Sequence, residues 1–394
     1  MKKNAEVVII GGGINGCTLA YKLSKEKVNT VLLEKRCLAD GASGRCGAII
    51  WSIWNDSTIR ILAEIGMNAV ELFAELEEEL SADIEYTQED SLILVSSGEE
   101  EYYSQSMRNM KDYSRVSPEY LKPEEIKKLA PYIDVDSFPV VGGYHLYNHP
   151  TNASANPFLT VEALATGAKR LGAEIYTNTE VTGIDVVGGK IEGVQTTAGS
   201  IQTHTVINAA GGWSSDVALL AGIKIPAIPY RKQALVTEPL ESLPYFPDCS
   251  EAWSRQTKNG EIIAGLEPLP ATESDYKMES GYSLVADLAF LTRILGFLRR
   301  FLPRLNHVNV LRHWGAFADV TPDDLPILGE VDEVKGLILA CGCSGFGFCF
   351  SQALGKLITD LIVKKKKDRV MELFNLRRFE KKYREYPGRW YGCS

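Results

Sequence analysis

Val7-Val8-Ile9-Ile10-Gly11-Gly12-Gly13-Ile14-Asn15-Gly16 decides the fold. An apolar run feeds directly into a G-x-G-x-x-G turn. A helix is expected over Cys17–Ser24, and a second apolar run, Val31-Leu32-Leu33, is closed by Glu34, eighteen residues beyond Gly16. This strand–turn–helix–strand–acid order is the unit that binds dinucleotides. Gly11 permits the tight turn, Gly13 the approach of backbone to a pyrophosphate, and Gly16 the close packing of helix on strand. Ile14 and Asn15 open the helix, whose unpaired N–H groups and positive dipole end suit phosphate. Glu34 suits a ribose hydroxyl and disfavours a 2′-phosphate. The bland alternative is a glycine-rich turn with no ligand. Both strands, the helix and the acid together favour the dinucleotide site.

The remaining composition narrows the class. A chain of 394 residues with 45% hydrophobic and 24% charged residues is an ordinary soluble globular protein of about two domains. A net charge of −9 argues against nucleic acid as a partner. No apolar run reaches the ~18 residues needed to span a bilayer, and the start reads directly into a strand rather than a signal peptide. Eight cysteines scattered through a long chain indicate reduced thiols, hence a cytoplasmic location. Cys341, Cys343 and Cys349 match no metal-ligand spacing, so no metal is expected. The basic run Lys364–Lys367 suits a solvated helix end, with contact to the inner face of a membrane as the alternative.

Along the chain, a second glycine-rich loop spans Gly41–Gly47. A long helix follows, capped by Asp56 or Ser57, with Ile59, Leu62, Ile65, Ala69, Phe73, Leu76 and Leu80 as its apolar stripe. Ser91–Ser96 reads as a strand, and residues 98–130 as polar helix and loop. Asn156–Leu171 reads as an amphipathic helix with Pro157 in its first turn. Short strands then cover Glu174–Tyr176, Val181–Val187, Lys190–Thr196, Ser200–His204 and Thr205–Asn208. Residues 225–320 are β-rich around one helix, Leu284–Leu302, whose Leu284, Leu288, Leu291, Leu295 and Leu298 are spaced as core. The strand Leu337–Ala340, the loop Cys341–Phe348 and a helix through Val363 close the chain. The predicted fold is α/β. A Rossmann-like nucleotide domain takes residues 1–85, 150–224 and 315–394, and a β-rich α+β substrate domain takes 86–149 and 225–314, both discontinuous.

Three motifs occur in order: the N-terminal unit, Ala209-Ala-Gly-Gly-Trp213, and Thr321–Gly329 followed by Gly342-x-Ser-Gly-x-Gly347. Together they resemble the D-amino-acid oxidase-like family of FAD-dependent oxidoreductases, over essentially the whole chain. The resemblance implies FAD rather than NAD in a glutathione-reductase-like domain. The loop Gly41–Ala48 and Trp314–Asp323 are most similar to β subunits of hetero-oligomeric sarcosine oxidase, dye-linked proline dehydrogenase, opine oxidase and hydrogen cyanide synthase. Glycine oxidase-type members carry an Arg for the substrate carboxylate where this chain has Phe317, so the carboxylate partner stays unidentified. Residues 150–160 hold no histidine, which argues against a covalent FMN there and leaves open a noncovalent FMN at a subunit interface.

By resemblance, Lys35 and Arg36 flank the adenine end, with a solvated loop as the equal alternative. Ala42 and Ser43 lie by the phosphate or ribitol. Arg45, Cys46, Gly47 and Ala48 pass the isoalloxazine edge, with a phosphate clamp or a structural ion pair as the alternatives for Arg45, and Cys46 reads as a small buried residue before a redox thiol. Val181 lies by the adenine, and Ala210 and Gly211 let the chain pass close to the cofactor. Gly342, Ser344, Gly345, Phe346, Gly347 and Phe348 lead into a helix whose N–H groups would stabilise negative charge on the flavin. Phe346 stands where relatives often carry His, so it or Phe348 walls the pocket rather than moving protons. Candidate substrate residues are Trp51, Arg255, Gln256, Glu267, Arg312 and Trp314, an Arg being suited to a carboxylate by bidentate pairing. The resemblance implies oxidation of an amino acid or secondary amine by hydride transfer to flavin N5. A catalytic β-type subunit passing electrons to a partner is favoured, a dehydrogenase before an oxidase. The alternatives are a glycerol-3-phosphate dehydrogenase-like flavoenzyme and a flavin-bearing scaffold subunit without activity alone.

Overall fold

The computed structural model describes residues 1–51, 59–113, 117–137, 140–147, 152–245, 247–249, 252–266 and 287–379. The expected caps Asp56 and Ser57, and Leu284 and Glu267, lie outside them.

Burial of the first strand sets the architecture. All four residues of Val7–Ile10 are buried, so both faces of this strand are covered. The strand sits inside a six-stranded sheet ordered 327–330, 337–341, 206–208, 7–10, 30–33, 174–176, parallel except for Ile327–Glu330. Val7, Ile9 and Leu32 face a core shared with the helices Ile14–Lys25, Pro157–Arg170 and Gly347–Lys364. Val8, Ile10, Val31 and Leu33 face the opposite way, onto the antiparallel sheet Val181–Val187, Lys190–Thr196, Gly199–Gln202. Alternation by two thus yields three layers, helix, parallel sheet and antiparallel sheet. Asn156 caps Pro157–Arg170, its side chain accepting from the N–H of Phe158 and Leu159.

The second half is antiparallel apart from the short pair of 247–248 with 91–96. One sheet runs 252–256, 262–266, 228–237, 310–320. Another runs 247–248, 91–96, 140–147, 117–121. Leu235, Ala252, Ile262 and Ala264 from the first and Leu92 and Leu94 from the second share a core with the helix Leu288–Phe301. Of the expected leucines, that helix buries Leu298 and packs Leu291 and Leu295 partly against the core, but phenylalanines fill most of its inward face. Phe290, Ile294, Phe297, Leu298 and Phe301 are buried, whereas Leu288 is 74% exposed. Burying the larger phenylalanines removes more apolar area from water. The polar stretch 98–130 also holds a strand, Ser117–Leu121, between two helices. Thr87–Glu89, expected with the substrate domain, instead pairs with Asn152–Ser154, which also pairs with Ile49–Trp51.

Candidate functional site

A cavity of about 490 Å³ opens beyond the carboxyl ends of Val7–Ile10, Thr30–Leu33 and Val206–Asn208, where ligands bind in open parallel sheets. Gly11 has φ +115°, and a Cβ there would lie 2.3 Å from the carbonyl oxygen of Ala209. A Cβ on Gly16 would lie 1.9 Å from the carbonyl oxygen of Gly11, so helix and turn meet backbone to backbone. The Glu34 carboxylate accepts from the N–H of Gly12 at 2.7 Å and of Arg36 at 2.8 Å, which fixes it on the cavity wall. Ser43 Oγ accepts from the N–H of Ile14 at 2.9 Å and binds the second glycine loop to the helix start.

A second helix start, that of Gly347–Lys364, meets the same cavity through Gly345, Gly347 and Phe348. Its approach loop is held from a distance. The Gly342 N–H donates to Asp319 Oδ2 at 2.6 Å, the Ser344 N–H to the Asp319 carbonyl at 2.9 Å, and the Thr321 N–H to Ser344 Oγ at 3.2 Å. Asp319 is buried and lines the cavity. Burial pushes its carboxyl up to about 6, against the pull of the Gly342 N–H. Sequence reasoning quoted Asp319 within a motif and gave it no role, because its partner lies 23 residues ahead. Between the two helix starts, Asn15 lines the cavity with its Oδ1 buried and lacking a hydrogen-bond partner.

All residues expected around the cofactor line this cavity except Gly16, Arg45, Gly47, Ala48, Gly342, Ser344 and Phe346. Gly16 packs behind Gly11. Arg45 pairs with Asp40 at 3.1 Å and donates to the Gly41 carbonyl, the structural ion pair rather than the flavin contact. Gly47 and Ala48 offer their carbonyls to Arg255 and to the Ala155 N–H. Gly342 and Ser344 are tied to Asp319 and Thr321. Phe346 packs onto the helix-side core, its ring 6.0 Å from that of Phe350, and of the two phenylalanines expected to wall the pocket it is Phe348 that lines the cavity. The cavity's other end has an aromatic that the sequence reading left unassigned. Trp213 lines it, with the Lys35 ammonium 3.7 Å from the ring centroid. Burial holds the Lys35 pKa below its ordinary value. The Cys46 thiol donates to the Ser43 carbonyl, and burial pushes it up to about 11, so the neutral thiol prevails.

The substrate candidates separate. Arg255 is buried and ties the cofactor loop to a distant strand: Nε donates to the Gly47 carbonyl, one terminal nitrogen to Ser154 Oγ at 3.4 Å, the other to the Ala155 carbonyl at 3.2 Å. It is a structural clasp, not a carboxylate clamp. Gln256 likewise bonds to the carbonyls of Glu241 and Gly260. Trp51 exchanges backbone hydrogen bonds with Cys349 Sγ. Trp314 Nε1 donates to the Arg45 carbonyl at 2.9 Å, and exposed Arg312 lies 6.0 Å from its ring. None of the five lines the cavity. Phe317 is buried against Gly212.

Two helix starts, an acid fixed on backbone N–H groups, an orphaned Asn15 oxygen and an aromatic at the far end fit a dinucleotide. Among the described residues, no helix is long and apolar enough to cross a membrane, and all seven cysteines are free.

Comparison with known proteins agrees with this geometry. The chain is 29% identical to human mitochondrial sarcosine dehydrogenase over 99% of its own length, spanning 43% of that longer protein. It is 30% identical to the sarcosine oxidase subunit beta of an Arthrobacter species, covering 96% of this chain and 92% of the relative. The crystal structure of L-proline dehydrogenase from P. horikoshii superimposes with a TM-score of 0.86 at 30% identity, covering 96% of this chain and 99% of that one. The DAO family, described as FAD dependent oxidoreductase, matches residues 6–361, and the chain belongs to it.

Proposed function

We propose that this chain oxidises the carbon beside the nitrogen of an amino acid or secondary amine, as a β-type subunit of a hetero-oligomeric dehydrogenase. The observation that carries the reading is the convergence of two helix starts on one cavity, in a chain similar over nearly its full length to amine-oxidising enzymes. FAD, when bound, supplies the two-electron acceptor. The Ile14–Lys25 start, Gly11 and Gly13 would hold its pyrophosphate, Glu34 its ribose, and Trp213 with Lys35 the adenine end. The N–H groups that open Gly347–Lys364 would favour negative charge at the reacting end. No proton-relay side chain is required there. The residues present orient the amine and keep water out, through Phe348 and the sheet face that bears Trp314.

The β-type role draws support from the relative named as a subunit and covered over 92% of its length. Such a chain hands its electrons to a partner protein, and a noncovalent FMN at the interface would be the second carrier. An anaerobic absorbance scan tests the oxidation. Sarcosine, proline, hydroxyproline, opines, D- and L-amino acids and glycerol 3-phosphate are added in turn to the flavin-loaded chain. Bleaching by one amine class is expected. Bleaching by glycerol phosphate alone would overturn the reading. Reoxidation by dye much faster than by O₂ separates dehydrogenase from oxidase, and flavin analysis of the assembled complex shows whether FMN is present.

A further inference from the structure

The two helix starts take the cofactor by different groups, and one side chain stands between them. Asn15 is the second residue of Ile14–Lys25 and lines the cavity. Its Nδ2 donates to Cys343 Sγ at 3.6 Å. The same nitrogen lies 3.4 Å from where a Cβ on Gly347, the first residue of the second helix, would sit. Asn15 is thus carried by the first helix and touches the turn that opens the second.

That contact uses only half of the amide. Asn15 Oδ1 is buried and accepts no hydrogen bond. The polar side chains around it on the cavity wall are engaged. Ser43 Oγ accepts from the Ile14 N–H, the Cys46 thiol donates to the Ser43 carbonyl, and Asp319 Oδ2 accepts from the Gly342 N–H. Among the described residues that line the cavity, Asn15 Oδ1 is the one buried acceptor without a partner. An amide oxygen buried unpaired costs free energy, and asparagine brings a helix no propensity to offset it.

The order of groups in FAD says what would satisfy it. The pyrophosphate belongs at the start of Ile14–Lys25 and the isoalloxazine at the start of Gly347–Lys364. The ribityl chain joins them and passes between the two starts, where Asn15 stands. Pyrophosphate oxygens can only accept, whereas a hydroxyl has a proton to donate.

We propose that Asn15 Oδ1 accepts a hydrogen bond from a ribityl hydroxyl of FAD. One amide then reads the linker of the cofactor with its oxygen and braces the second turn with its nitrogen. This rests on the seating of FAD given above.

The test titrates the flavin-free full chain with FAD and with FAD analogues lacking the 2′-, 3′- or 4′-hydroxyl of the ribityl chain, followed by the change in flavin visible absorbance. ADP, which ends at the pyrophosphate, is measured by its displacement of FAD. Asn15→Leu should weaken FAD about 5-fold to 50-fold, the range of a lost buried hydrogen bond, and leave ADP unchanged. One analogue should bind wild type more weakly by a similar factor and lose nothing further in Asn15→Leu, the mark of a direct pair. Loss of the Cys343 contact acts on every flavin alike and cancels in this comparison. Asn15→Asp keeps an acceptor and should retain the preference for FAD over that analogue. The proposal is overturned if Asn15→Leu binds FAD as tightly as wild type, if its loss is the same for FAD and every analogue, or if ADP weakens as much as FAD. A chain that shows the hydroxyl dependence while no amine bleaches its flavin would sink the oxidation reading and keep the ribityl contact.

Discussion

Two strand–turn–helix units meet at the cavity, and they are secured in opposite ways. In Val7–Lys25 the fastening is local: Gly11 N–H to the Leu33 carbonyl, Gly12 N–H to Glu34, Ile14 N–H to Ser43. Everything lies within the first 43 residues. In Leu337–Lys364 the turn is held by Asp319 and Thr321, on or just after a strand of the other sheet. That strand also carries Trp314 and pairs with the strand Ile228–Thr237. The gripping end of the site is therefore fastened mainly by near neighbours in sequence, while the reacting end is built jointly with the substrate sheet. Changes on the substrate side reach the second turn through covalent neighbours, and the first turn at one remove, through Asn15 Nδ2 to Cys343 Sγ and through the loop of Ser43, which Trp314 and Arg255 hold at Arg45 and Gly47.

Substitutions can break or sharpen this contrast. Gly16→Val should be the most damaging, costing about 4 kcal/mol or more because the new side chain meets backbone that cannot yield. The purified protein should lack the flavin absorbance band and melt early. Retention of both would mean that the first unit tolerates separation of helix and turn.

Asp319→Asn probes the second unit through pH. The folded carboxyl titrates at about 6, above its ordinary value of 3.8, so the folded state keeps a proton that the unfolded chain releases. Stability from this group is full below about pH 4 and lost as pH rises through about 6. The melting temperature of flavin-free wild type, minus that of Asp319→Asn, should fall between pH 4 and 7. The corresponding loss of stability should be on the order of 3 kcal/mol. A flat difference would mean that Asp319 does not carry the titration.

Glu34→Ala removes the acceptor of two backbone N–H groups and should weaken FAD about tenfold to thirtyfold, measured by flavin fluorescence on titration. An unchanged affinity would show that the acid serves only the fold. Ser43→Ala, which frees the Ile14 N–H, should cost about 1 kcal/mol and lower the melting temperature by a few degrees with FAD still bound.

The contrast also explains what could be read in advance. Gly16 and Glu34 act on near neighbours, so spacing alone exposes them. Asp319 acts on a turn 23 residues away and has no local signature. Arg255 was picked out as a strand arginine with the right chemistry, yet its acceptors, at Gly47, Ser154 and Ala155, are about 100 and 200 residues distant. The helix Leu288–Phe301 carries two apolar stripes, and periodicity cannot choose between them; contact with the sheets chose the phenylalanines. The Ser117–Leu121 strand is half exposed and polar, so no alternation announced it.

The clasp made by Arg255 also sets an order of events in time. The loop Gly41–Ala48 leaves the ribosome early, but the guanidinium that fastens Gly47 follows some 200 residues later, and the second helix start about 90 residues after that. At ~5–20 residues per second the nucleotide turn waits roughly 15–60 s for its counterpart. Flavin capture is thus a closing act of biosynthesis: a nascent chain exposes a half-built cradle, and cellular supply of FAD matters most at release.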